Sequence, residues 1–122
     1  MKYTIAFFFQ KKYNVKIIDS IPYESSNGYS AVFYEEKGKN YCTIKGSLEV
    51  VSKFSSSINL RKDNSFNKVF KQNEELSKDG YRVIAVAMGE VSKKNSYTDK
   101  DIKNLKFMGL VGFIDPIRRE AI

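Results

Sequence analysis

"Tyr29-Ser30-Ala31-Val32-Phe33-Tyr34-Glu35", "Glu36-Lys37-Gly38-Lys39-Asn40" and "Tyr41-Cys42-Thr43-Ile44" follow one another without a break. The outer runs are rich in β-branched and aromatic residues, and the middle one carries charge and a glycine. The stretch therefore reads as strand, hairpin loop and partner strand. Upstream, "Val15-Lys16-Ile17-Ile18-Asp19-Ser20-Ile21" is a strand ended by Pro22, and "Ser25-Ser26-Asn27-Gly28" is turn chemistry. Before it, residues 3–12 read as a short helix with Ile5, Phe8 and Phe9 crowded on one side.

Downstream, Lys45-Gly46 leads into a helix reaching about Phe54, with Leu48, Val51 and Phe54 facing inward. After the loop "Ser55-Ser56-Ser57" comes the clearest helix. Phe66, Val69, Phe70, Asn73 and Leu76 fall at helical spacing, Asp63 or Asn64 can cap the start, and Gly80 sits where a left-handed cap belongs. "Tyr81-Arg82-Val83-Ile84-Ala85-Val86-Ala87-Met88" is a strand. A charged loop with a helical turn near 99–104 follows, and residues 105–114 form the last strand. Hairpins with a few helices define an α+β domain, a largely antiparallel sheet with helices packed on its faces.

The 122 residues suffice for one domain and one core. With 42% hydrophobic residues the chain has the means to fold. Lys plus Arg is 21 against 14 acidic residues, a net charge of +7 that suits a phosphate-bearing or polyanionic partner, or simply solubility. Histidine is absent, which excludes Ser-His-Asp chemistry and zinc sites of the His/Cys type. Cys42 is the only cysteine and sits in a strand run, so it reads as a buried, inert thiol in a reducing compartment. The longest apolar run, residues 107–114, is far below the roughly 20 residues of a membrane span, so direct membrane insertion is not expected.

Lys45-Gly46 raises the first chemical question. A helix start exposes unpaired N–H groups, and a lysine beside it suits an anion such as phosphate. Taken alone, a plain strand-to-helix turn is the better reading. Tyr23, just past a strand, offers a flat ring; Arg82 opens an apolar strand; Asp115-Pro116 leaves the last one. Each also has a plain structural reading: rim aromatic, solvated arginine, strand terminator. Neither nucleotide-binding fingerprint rich in glycine is present, and no carboxylate pair is spaced for acid–base work.

The order of these features resembles P-type ATPases of the calcium- or sodium-pumping branch. "Ile21-Pro22-Tyr23-Glu24-Ser25-Ser26-Asn27-Gly28-Tyr29" is similar to the family's Ile-Pro-Phe-x-Ser-x-Asn-Lys-Tyr. "Ile44-Lys45-Gly46-Ser47-Leu48-Glu49" resembles Lys-Gly-Ala-Pro-Glu, and "Gly80-Tyr81-Arg82-Val83-Ile84-Ala85-Val86-Ala87" resembles Gly-x-Arg-Val-Leu-Ala-x-Ala. Residues 109–118 match the Gly-x-x-Gly-x-x-Asp-Pro-x-Arg hinge.

The resemblance implies a nucleotide-binding domain over residues 1–114, with 115–122 starting a hinge back to an absent phosphorylation domain. It implies ATP as ligand, with Mg²⁺ held mainly by that other domain. Tyr23 would stack on adenine, Lys45 would line the pocket with Ser25 nearby, Gly46 would let the backbone approach the ligand, Arg82 would reach the phosphates, and Asp115 would lie near the ribose and phosphates. The expected partners are ATP and the phosphorylation and membrane domains of one parent chain, with no nucleic acid. The expected setting is the cytoplasmic domain of an integral membrane protein.

Three departures stand out. Gly28 replaces a basic residue, Ser47-Leu48 replaces alanine-proline, and the place of an expected acidic residue is held by Thr4 or lies outside this fragment. The phosphorylated aspartate of Asp-Lys-Thr-Gly-Thr is missing, so the fragment alone is not expected to turn over. The alternatives are a basic module for single-stranded nucleic acid and a protein-interaction domain.

Overall fold

Among the described residues, five strands form one sheet in the order β1-β2-β3-β4-β5, every neighbouring pair antiparallel. They are β1 (Lys16–Ile21), β2 (Tyr29–Glu36), β3 (Lys39–Gly46), β4 (Arg82–Val91) and β5 (Lys106–Phe113). Helix α1 (Leu48–Lys53) follows β3, α2 (Ser65–Lys78) precedes β4, and one 3-10 turn spans Asp99–Asp101. The computed structural model describes residues 15–56 and 65–113. The helix expected over 3–12, the cap at Asp63 or Asn64, the side chain of Phe66 and the segment 115–122 lie outside it.

The β2–β3 hairpin is tighter than the sequence reading. Glu36 pairs with Lys39, leaving Lys37 and Gly38 as a two-residue loop with φ of 51° and 81°. Two successive positive φ values match the right-handed twist of the flanking strands, which is why such turns dominate short hairpins.

Alternation sorts the sheet into two faces. Tyr29, Ala31, Phe33, Cys42, Ile44, Ala85 and Ala87 point to one face and form the main core with Leu48 and Val51 of α1. Val69 and Phe70 of α2 pack against the same cluster, so both described helices cover one face. Val15, Val32 and Tyr34 form a smaller cluster with Ile17 and Tyr41 on the opposite face. Helix α2 ends as its glycine implies: Gly80 takes φ 89°, and the Tyr81 N–H donates to the Leu76 carbonyl at 3.0 Å.

The segment between β4 and β5 is more than a charged loop. Tyr97, Ile102 and Leu105 are buried in it. The Tyr97 ring lies on Phe33 with centroids 4.3 Å apart and planes 2° from parallel. Its hydroxyl donates to the Ser92 carbonyl at 2.6 Å and accepts from Asn40 Nδ2 at 2.6 Å and the Lys94 N–H at 3.0 Å. Asp19 Oδ2 accepts from the Tyr97 N–H at 2.8 Å, tying the segment to β1.

Candidate functional site

A five-stranded antiparallel meander alternates its ends, so β1 finishes where β2 starts, and so on across the sheet. Ile21 faces Ala31, Tyr29 faces Gly46, Gly46 faces Ala85, and Arg82 faces Phe113. Tyr23 and Ser25 leave β1 at this end, Lys45 and Gly46 finish β3 there, and Arg82 starts β4 there. Five of the six residues singled out in the sequence therefore share one end of the sheet. Asp115 lies outside the described residues, two positions beyond Phe113, which pairs with Arg82.

Lys45 alternates with the fully buried Ile44, so its side chain projects from the face opposite the helices. This corrects the idea that Lys45 joins a helix start to form an anion site. Helix α1 lies on the other face, has six residues, and is capped by Ser47, whose Oγ accepts from the Val50 N–H at 3.3 Å. Arg82 has the same parity as Val86, the residue that Lys45 pairs with. The two cations therefore share a face, Arg82 lying about 13 Å further along β4 at the usual strand rise. On the same face Ile84 and Val86 are half-buried, and Val111, opposite Ile84 on β5, is 52% exposed. The described ion pairs are Lys93–Glu35 and Lys94–Asp101, so among the described residues neither Lys45 nor Arg82 has a carboxylate partner.

Tyr23 is 56% exposed in the 22–28 loop. Most of the other tyrosines described, including Tyr29, Tyr34 and Tyr97, are buried and serve packing. Gly46 turns out to have a structural reason for lacking a side chain. A Cβ there would stand 2.3 Å from the Gly28 carbonyl oxygen and 2.8 Å from the Tyr29 Cα. The glycine lets β3 pass the end of the 22–28 loop, whatever else it does.

What sequence reading missed is the side chain of Asn27. Its Oδ1 accepts from the Glu24 N–H at 3.0 Å and the Tyr29 N–H at 3.3 Å, closing the loop that carries Tyr23. The available signal was the asparagine itself, which favours local backbone hydrogen bonds in turns. Among the described residues, no group of three or more His, Cys, Asp or Glu could hold a metal ion, and no helix is long and apolar enough to cross a membrane.

One end of the antiparallel sheet of this α+β domain thus carries an exposed ring and two cations that have no carboxylate partner among the described residues. The chain belongs to the family described as P-type ATPase, cytoplasmic domain N, whose model matches residues 8–120. It is similar to the cation-transporting ATPase pma1 of Synechocystis sp., with 33% identity over 111 residues covering 86% of this chain and 12% of that protein. It is also similar to calcium-transporting ATPase 1 of Bacillus cereus, with 26% identity over 124 residues covering 94% and 14%. The chain thus spans only a small part of the length of these relatives.

Proposed function

We propose that this chain is the ATP-holding domain of a cation-transporting P-type ATPase. Tyr23 stacks on the adenine, Lys45 and Arg82 receive the phosphates, Ser25 lines the same end, and Asp115 approaches when the hinge closes. The domain presents the γ-phosphate to an aspartate in a neighbouring domain of the parent pump, which stands in the membrane with this domain in the cytoplasm. Mg²⁺ arrives with the nucleotide and is held mainly by the phosphorylation domain. The contribution of this chain is position and charge complementarity rather than covalent chemistry.

The observation that supports the reading is that Tyr23, Lys45 and Arg82 share one sheet end, with both cations on one face and the apolar Ile84 between them along β4. Calorimetric titration with ATP tests it. Tyr23→Ala should weaken binding roughly tenfold, in line with about 1–3 kcal/mol per stacked base. Lys45→Ala should weaken it by a comparable factor, about 1.5–3 kcal/mol for a hydrogen bond to a charged group. Unchanged affinity in both variants overturns the assignment, and tighter binding of a short single-stranded RNA than of ATP favours a nucleic-acid module instead.

A further inference from the structure

The loop bearing Tyr23 and the strand end bearing Lys45 are fastened to each other by contacts that leave both side chains free. Asn27 closes the loop through the Glu24 and Tyr29 N–H groups. The Asn27 and Gly28 N–H groups both donate to the Glu24 carbonyl, at 3.1 and 2.9 Å. The Ser47 N–H then donates to the Gly28 carbonyl at 3.3 Å, joining the loop to the residue two beyond Lys45. Two missing side chains allow the approach. A Cβ on Gly46 would strike the Gly28 oxygen, and one on Gly28, at φ 76°, would stand 2.9 Å from Val50 Cγ2.

Resting on the ATP reading above, we infer that Asn27 is a positioning residue that sets where the Tyr23 ring stands relative to Lys45, and so governs base recognition but not phosphate recognition. Its amide touches no ligand in this account. It acts by holding the Glu24–Tyr29 turn closed. Asn27 lies four positions after Tyr23, and the turn has no other side chain bonded to its backbone among the described hydrogen bonds. Without Asn27 Oδ1, the Glu24 N–H loses its described acceptor, and the ring at the mouth of the turn loses its fixed position. Lys45 and Arg82 sit on strands paired along their length and keep theirs.

The test compares dissociation constants for ATP and for inorganic tripolyphosphate, which has the phosphates but no base. Asn27→Ala should weaken ATP about fivefold, the effect of losing one to two modest hydrogen bonds, and leave tripolyphosphate unchanged. Asn27→Asp keeps an oxygen acceptor at the same place and should restore the ATP-to-tripolyphosphate ratio, since any effect of its added charge on phosphate binding cancels in that ratio. Equal losses for both ligands in Asn27→Ala, or failure of Asn27→Asp to restore the ratio, overturn the positioning role. So does Asn27→Ala binding ATP as the parent does while Tyr23→Ala weakens it. If Tyr23→Ala leaves ATP affinity intact, or the parent chain takes no ATP, the fault lies in the site assignment itself and the role of Asn27 falls with it.

Discussion

Gly46 has backbone on two sides that cannot give way, the Gly28 oxygen and the Tyr29 Cα. Gly46→Ala should therefore cost about 3 kcal/mol, the upper part of the range for forced overpacking, read as a fall in the urea midpoint. Gly28→Lys should also destabilise, by about 1–2 kcal/mol, because φ 76° disfavours a side chain and Val50 must shift. Cys42 is wholly buried, and burial pushes its thiol up to about 12 from the ordinary 9.0. The folded chain holds that proton while the unfolded chain loses it near 9.0, so this contribution to stability is present below 9.0 and declines as pH rises toward 12. A thiol reagent at neutral pH should modify Cys42 only at the rate of unfolding, since the thiolate is the reactive form.

Among the elements, the β2–β3 hairpin was legible because its signal is local: two alternating runs around a Lys-Gly pair. The end of α2 was legible for the same reason, through Gly80. The segment between β4 and β5 was not. It reads as a charged loop, yet Tyr97 enters the core. Nothing near Tyr97 in sequence announces Phe33 or Asn40, which lie more than 55 positions away; the stacking and the hydrogen bond to Asn40 exist only once the sheet forms. Tyr97→Phe keeps the ring contact and removes the hydroxyl. It should lower stability by about 2 kcal/mol, because the Ser92 carbonyl and the Lys94 N–H lose their partner and Asn40 Nδ2 keeps only the Lys94 carbonyl at 3.3 Å. A denaturant melt beside the parent chain measures it.

At the scale of the whole molecule, the meander is what brings residues as far apart in sequence as Tyr23 and Arg82 to one end of the sheet. The residue types and their order were legible in the sequence, and so was the antiparallel class. Which face Lys45 occupies was not, because a lysine at a strand-to-helix junction projects to either side depending on register. Pairing with Ser30 and Val86 sets that register and sends Lys45 to the face of Arg82, away from α1. Asn27 escaped for a related reason: its turn was evident, but its reach to Tyr29 and the anchoring of Gly28 on Ser47 depend on where β3 ends. The central claim is that this sheet end is the ATP site, and an amide NMR titration with ATP probes it most directly. The account predicts shifts concentrated at Tyr23–Tyr29, Lys45–Ser47 and Arg82–Ile84, with little change at the Lys37-Gly38 hairpin at the far end. Shifts centred on that hairpin, or spread evenly over the sheet, would contradict it.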